Sequence, residues 1–402
     1  MSSQRIAMLH VIEGLGTGGS EQQLVAFLLH SDPARFRHEV CTLAQVGRFA
    51  EQVRHAGIAL HTLGVRADGD LLRTFRRLHR IVKRVRPQVL HTVLYRPTVV
   101  GRLVGYLTGT PVITTLVNTA YEPEWYLDNP RLSPWKARVV RGADRLTARW
   151  WGGRYVAITE SVKVSAVRQL GLPPEAIAVV PRGIALDGRG DAQPADVAAV
   201  RATLGWQDAY PLLLNIGRLV PQKGQQYAIY AMPAVLSRFP SARLMIAGEG
   251  PMRPTLEAII RREGLEDRVG LLGDRWDAAT LLAAADIFVF PSLFEGLGNA
   301  VLEAMAAGKP CVLSRIPALR EITGDGQVAI LTDIRSPAGL AAAVVRLAED
   351  RALAVRLGAE AREWVRTRYD LARSVRALEE VFARFAAEAG VRSAHRVRTV
   401  EA

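Results

Sequence analysis

The chain switches between two hydrophobic periods from its first residues. Short apolar runs read as strands: "RIAMLHVI" (5–12), "HEVCTL" (38–43), "IALHTLGV" (58–65), "QVLHTV" (88–93) and "PVITTLV" (111–117). Between them lie helical patterns from about Ser20 to His30, Phe49 to Ala56 and Asp70 to Arg86, with a further helix before Pro111. The pattern restarts with "YPLLLNIGRL" (210–219), "ARLMIAGEG" (242–250), "RVGLLG" (268–273), "ADIFVFPS" (285–292) and "PCVLS" (310–314), again separated by helical stretches. Such alternation predicts parallel strands joined by crossover helices. The expected fold is α/β, with two Rossmann-like, doubly wound domains over 1–190 and 191–369. Their junction lies in the Gly- and Asp-rich "GIALDGRGDAQPADV" (183–197). Ligands of doubly wound sheets bind beyond the carboxyl ends of the strands, so a cleft between the domains is the expected site.

Composition agrees with two cores. At 402 residues, 49% apolar and 23% charged, the chain exceeds one ordinary core and does not resemble a disordered one. No long apolar run marks a signal peptide or a spanning helix, so a cytoplasmic protein is expected, at most peripheral on the inner face of the membrane. Cys41 and Cys311 lie far apart in apolar runs, which predicts reduced core thiols. The net charge of +13 is unevenly spread. Residues 1–190 carry 26 Lys and Arg against 14 Asp and Glu, whereas the rest carries 26 against 25. A basic first half implies an anionic partner: nucleic acid, an acidic membrane surface or a phosphorylated acceptor.

Several motifs carry candidate chemistry. "GLGTGGSEQQL" (14–24) follows the first strand and opens a helix, where glycines and unpaired N–H groups suit an anion; its spacing does not make a dinucleotide fingerprint. "NIGRLVPQKGQQYAI" (215–229) sets Arg218 and Lys223 on a loop before a helix, two cations suited to a diphosphate. In "IAGEGPMRPTLE" (246–257), the glycines read as a structural turn and Glu249 as solvated. "PSLFEGLGNAVLEAMAAG" (291–308) sets Glu295 on a glycine loop and Glu303 one turn into a helix that starts near Gly298 or Asn299. A carboxylate in the helix can accept both hydrogen bonds of a ribose diol, and one on the loop can reach hexose hydroxyls. His10, His38, His55, His61 and His79 show no metal-ligand spacing, and no metal is expected.

The Glu295 to Glu303 element, taken with "GRLVPQKG", "GEGP" and "GGSEQQ", resembles the family 4 glycosyltransferases of the GT-B fold. The resemblance covers about Arg5 to Ala387 and implies a retaining hexosyltransferase that uses a nucleotide-diphosphate sugar. It implies that Arg218 and Lys223 bind the diphosphate and that Glu295 contacts the transferred sugar. Glu303 would hold the ribose, backbone at Gly296, Gly298 and Asn299 would meet phosphate or sugar, and Gly18 and Gly19 would close over the donor. No cofactor and no metal are implied, because the leaving phosphate takes the acceptor proton. A helix of about 370–387 would cross back to complete the first, acceptor-binding domain. On the acceptor side the chain departs from the family: Val117 and Asn118 end the strand "PVITTLVN", His91 stands alone where a second histidine is common, and Arg182 replaces an Asn.

"DLLRTFRRLHRIVKRVRP" (70–87) is a helix with Leu71, Phe75, Leu78, Val82 and Val85 on one face and Arg73, Arg76, Arg77, Arg80 and Arg84 on another. That cationic face, with Trp135, Trp150 and Trp151 interleaved among arginines over 131–154, suits an anionic membrane surface more than nucleic acid. The expected function is hexose transfer to a hydroxyl of a lipid-linked or glycan acceptor. The rivals are a nucleotide-sugar epimerase of the same fold and a non-catalytic sugar-nucleotide-binding subunit.

Overall fold

The computed structural model describes residues 5–16, 18–44, 47–65, 70–123, 126, 133–151, 153–186 and 194–400. The chain divides into two compact units: Met1–Tyr121, Leu132–Arg182 and Ala372–Ala402 form one, and Glu122–Arg131 with Gly183–Leu371 the other. The expected domain seam at Gly190 lies outside the described residues.

In the first unit, β1 (Ile6–Ile12), α1 (Gly19–His30), β2 (Phe36–Thr42), α2 (Ala50–His55), β3 (Ala59–Thr62), α3 (Leu71–Val85), β4 (Val89–Val93), α4 (Tyr95–Thr108), β5 (Val112–Leu116), α5 (Pro134–Trp151), β6 (Arg154–Ala157), α6 (Glu160–Leu170) and β7 (Ile177–Val179) follow in turn. All strand pairs are parallel, in the order β3-β2-β1-β4-β5-β6-β7. Side chains alternate across the sheet. Leu9, Val11 and Leu90 pack on one face with Leu78 and Val82 of α3 and Val100 and Val104 of α4. His10 and His91 therefore point to the other face, where the His10 ring meets Phe27 of α1 and the His91 ring meets Phe382.

The second unit repeats the plan with α7 (Pro194–Thr203), β8 (Leu212–Ile216), α8 (Gln225–Arg238), β9 (Arg243–Ala247), α9 (Arg253–Arg262), β10 (Val269–Gly273), α10 (Ala278–Ala284), β11 (Ile287–Phe290), α11 (Asn299–Ala306), β12 (Cys311–Ser314), α12 (Pro317–Ile322), β13 (Ile330–Thr332), α13 (Pro337–Glu349) and α14 (Arg351–Arg368). Its sheet runs β10-β9-β8-β11-β12-β13, also fully parallel. Leu213, Ile246, Val289 and Val312 pack with Ile229, Met232 and Val235 of α8 and Val344 and Leu347 of α13. Each sheet reverses its winding where the first strand meets the fourth, β1 beside β4 and β8 beside β11. Ligands of doubly wound folds bind at the carboxyl ends beside that reversal. The chain ends in α15 (Leu371–Val400), which returns to the first unit: Glu379 bonds Ser31 and Arg35, and Glu388 pairs with Arg154.

Two sequence expectations for α3 are corrected. Leu71, assigned to its apolar face, is exposed at the first residue of the helix, and Thr74, one turn further in, is the first buried residue of the face that Leu78 and Val82 continue. Arg77, assigned to the cationic face, bends down to donate to the Leu63 carbonyl, leaving Arg73, Arg76, Arg80 and Arg84 as the exposed basic residues of that group. Both cysteines are buried free thiols, and burial pushes Cys41 up to about 12.

Candidate active site

The second unit's reversal point is built from the loops after β8 and β11. Beyond β8 the backbone turns through Gly217 and Arg218 into a 3-10 turn, Pro221–Lys223, and then into α8. Gly224, at φ +63°, is the hinge between the turn and α8. Its α-carbon packs so closely on the Pro291 carbonyl that a β-carbon would collide with it. Hydrogen bonds tie the loops together at the same level. Gln222 Nε2 donates to the Phe294 carbonyl at 2.8 Å, and the Leu293 N–H donates to the Gln222 carbonyl at 2.8 Å. Two backbone segments distant in sequence are thus held as one rigid platform, as a preorganised site requires.

The "GEGP" turn after β9 supports that platform from beneath. The Leu219 N–H donates to the Glu249 carbonyl and the Met252 N–H to the Leu219 carbonyl, both at 2.9 Å. Gly248, at φ +140°, sits where a β-carbon would strike the Gly217 carbonyl oxygen. Glu249 pairs outward with Arg253 at 2.7 Å, so this turn supports the loop through its backbone.

Lys223 and Glu295 meet on the platform. Lys223 Nζ lies 2.5 Å from Glu295 Oε1, which also accepts from Ser292 Oγ at 2.8 Å. The ammonium stands 5.0 Å from the centre of the Phe290 ring. The two side chains are only 16% and 7% exposed, so this ion pair is desolvated, unlike the many surface pairs of this chain. Arg218 is exposed, and its carbonyl accepts from Gln225 Nε2 at 3.0 Å. Gly296 and Gly298 are buried on the β11 loop, and Gly298 caps α11 from a left-handed conformation without a side-chain bond. Glu303 is half-buried in the second turn of α11, beside the buried Leu302. The structure thus gathers Lys223 and Glu295 into direct contact, sets Arg218 on the same β8 loop, and carries Gly296, Gly298, Asn299 and Glu303 on the adjoining segment.

In the first unit Gly18 caps α1 in an extended conformation, and Gly19 offers its carbonyl to Arg182 Nη1 at 3.4 Å. Asn118 is exposed just beyond β5. His91 is buried, and both its ring nitrogens are engaged. Nδ1 lies 2.8 Å from His10 Nδ1, and Nε2 lies 2.8 Å from Thr115 Oγ1. His10 Nε2 is in turn 2.9 Å from His38 Nδ1, and His38 Nε2 is 3.0 Å from Ser31 Oγ. His10 and His38, read in sequence as scattered, therefore belong with His91 in one file. His10 and His91 face each other in the β1–β4 register, each two residues before its strand's last residue, and that shared offset was the signal available in the sequence. Their nitrogens bond one another in series rather than converging, and no metal-holding cluster of three or more His, Cys, Asp or Glu occurs among the described residues. Burial alone lowers His38 to about 4; burial, with smaller contributions from His38 and Arg182, lowers His91 to about 3; and burial, with smaller contributions from His91 and His38, lowers His10 as well.

These two sheets, with a loop-and-helix cation platform at the second reversal point, define a GT-B fold. A family model described as "Glycosyltransferase Family 4" matches residues 17–187, and one described as "Glycosyl transferases group 1" matches residues 210–350. The chain belongs to the family 4, or group 1, glycosyltransferases. It is 39% identical over 152 residues to an uncharacterised glycosyltransferase of Methanocaldococcus jannaschii, covering 37% of this chain and 39% of that protein. It is 28% identical over 289 residues to the Escherichia coli UDP-Gal:alpha-D-GlcNAc-diphosphoundecaprenol alpha-1,3-galactosyltransferase, covering 69% of this chain and 70% of that one. Among solved structures, Anabaena HepE in complex with UDP and glucose superimposes with a TM-score of 0.81 at 21% identity, over 94% of this chain and all of that one.

Proposed function

We propose that this glycosyltransferase moves a hexose from a nucleotide-diphosphate sugar to a hydroxyl of a lipid-linked or glycan acceptor, with retention at the anomeric carbon. The observation that carries the reading is the desolvated Lys223–Glu295 contact on the platform formed by the β8 and β11 loops. A diphosphate arriving there competes with Glu295 for the Lys223 ammonium, frees the carboxylate to accept from a hexose hydroxyl, and meets Arg218 on the same loop. Glu303 then accepts from the ribose diol. During transfer the bond between the anomeric carbon and the phosphate oxygen breaks. The acceptor oxygen bonds to that carbon from the same face, and its proton passes to the departing phosphate. No metal or cofactor enters this scheme.

The acceptor class rests on the names of relatives, since the Escherichia coli protein acts on a diphosphoundecaprenol-linked sugar. The surface is compatible with a lipid-borne substrate. Arg73, Arg76, Arg80 and Arg84 are exposed on α3, and Trp135 and Trp150 are 60% and 69% exposed on α5. Cations beside tryptophans suit an anionic headgroup layer. Among the described residues no helix is long and apolar enough to cross a membrane, so the proposed association is peripheral.

A panel of nucleotide sugars, UDP-glucose and UDP-galactose among them, tests the reading by thermal shift and by release of free nucleotide with and without GlcNAc-diphosphoundecaprenol. The reading expects a stabilising donor, acceptor-dependent nucleotide release, and loss of release in Glu303→Ala. Donor isomerised without acceptor would instead show an epimerase, and binding without release a non-catalytic subunit.

A further inference from the structure

The histidine file continues past His38 and ends on a helix from the far end of the chain. Ser31 Oγ donates to Glu379 Oε1 at 2.7 Å, and the Asp32 N–H donates to the same oxygen at 2.6 Å. Arg35 Nη1 donates to Glu379 Oε2 at 3.1 Å. Six side chains thus stand in series, Thr115, His91, His10, His38, Ser31 and Glu379, drawn from β5, β4, β1, β2, the end of α1 and α15. Glu379 is buried and ion-paired to Arg35, and Arg182 is the other cation acting on the His91 end.

A carboxylate only accepts hydrogen bonds, and a neutral imidazole has one donor and one acceptor nitrogen. Those two facts leave a single arrangement that makes every bond in the file. Ser31 must give its proton to Glu379, so its oxygen accepts from His38, which carries its proton on Nε2. His38 Nδ1 then accepts from His10, protonated on Nε2. His10 Nδ1 accepts from His91, protonated on Nδ1, and His91 Nε2 accepts from the Thr115 hydroxyl. Protonation of His10 or His38 would set two donors face to face in this arrangement, and burial disfavours a charge on any of the three rings.

We propose that Glu379 is a positioning residue that acts through this file to make Thr115, near the carboxyl end of β5, a pure hydrogen-bond acceptor toward the substrate side. With its proton committed inward to His91, the Thr115 oxygen offers outward only lone pairs. It admits a hydroxyl or amide donor and disfavours an acceptor-only oxygen such as that of a phosphate. This substrate preference rests on the reading of the first unit as the binder of the sugar-accepting hydroxyl; the file's polarity does not.

Nitrogen NMR of the full chain, with histidine labelled in both ring nitrogens, reads the polarity directly. At pH 7 three neutral rings are expected, one protonated on Nδ1 and two on Nε2. Thr115→Val, which removes the donor to His91 Nε2, should perturb the Nδ1-protonated ring and so assign it. Ser31→Ala should turn the His38 ring into a tautomer mixture, and Ser31→Thr should restore the single form. A His91 ring protonated on Nε2, a cationic ring in the file, or a His38 ring indifferent to Ser31→Ala would each overturn the proposal. Nucleotide release from UDP-glucose, measured on the same samples, separates the two ideas. Reversed tautomers in an active enzyme sink the relay alone, whereas the expected tautomers in a protein inert toward every donor and acceptor tried sink the transferase reading.

Discussion

Replacing Lys223 by Met keeps the unbranched stem that runs along Gly217 and removes only the ammonium, so its cost isolates the charge contact. Glu295, 7% exposed, would be left with the Ser292 hydroxyl as the partner of its Oε1. Stranding one member of a buried pair costs about 3–5 kcal/mol. The variant also has an escape that caps the cost, because the stranded carboxyl can take up a proton. For a carboxyl of ordinary acidity near 4.3, that costs about 3.7 kcal/mol at pH 7 and about 1 kcal/mol at pH 5. Lys223→Met should therefore destabilise the second unit by about 3–4 kcal/mol at pH 7, a fall of roughly 6–16 °C in its melting temperature. The penalty should shrink to about 1 kcal/mol at pH 5. Adding Glu295→Gln to Lys223→Met should recover at least half of the loss at pH 7, since the buried charge is then gone. Paired melts of wild type, both single variants and the double variant at the two pH values make the measurement. A penalty that is the same at pH 7 and pH 5, or a double variant as unstable as the sum of the singles, would refute the argument that a desolvated charge pair holds the platform together.

Three other outcomes follow from the structure. His38 and His91 are held near 4 and 3, below the ordinary 6.5, so the folded form binds fewer protons than the unfolded chain. The stability they protect is complete above about pH 6.5 and is lost as pH falls toward those values. Each ring should cost about 2 kcal/mol between pH 7 and pH 5, and urea midpoints for the first unit that do not fall over that range would contradict the neutral file. Arg102 is 1% exposed and donates to Asp144 at 2.6 Å, while Tyr121 holds the other carboxylate oxygen at 2.9 Å. Arg102→Met should therefore destabilise by about 3–5 kcal/mol, read by calorimetry, with much of the loss recovered when Asp144→Asn is added. Gly224→Ala sets a β-carbon against the Pro291 carbonyl at positive φ, which should cost about 1–3 kcal/mol and weaken binding of whichever nucleotide sugar stabilises the wild type, read by calorimetric titration; unchanged affinity would show that the two loops move independently.

How much of this was legible beforehand differs by element. The strands bounded by glycine or proline, such as "PVITTLV" and "ARLMIAGEG", were readable because punctuation and apolar run coincide. β6, β7 and β13 were not, since each is only three or four residues long and β6 opens on Arg154. The donor-side candidates came from local spacing, Glu295 eight positions before Glu303. The bond between Lys223 and Glu295 could not, because it joins residues 72 positions apart through two loops whose meeting is decided by sheet order. The histidine file was hidden for the same reason. Parallel register brings His10 opposite His91 across 81 positions, and a pattern search along one strand sees a single histidine in each.

The return of α15 has a consequence for how the protein is made. Ser31, the Asp32 amide and Arg35 leave the ribosome early, but the carboxylate that satisfies all three lies 344 to 348 positions later, after the whole of the second unit. The unit that is translated first is therefore the last to be finished. Until the final helix arrives, the nascent sheet holds a row of polar rings under an uncovered face, and the second unit can fold in the meantime on local contacts. A ribosome that stalls before residue 371 would release a chain whose second half is sound and whose first half has an open flank, the kind of intermediate that chaperones hold and proteases clear.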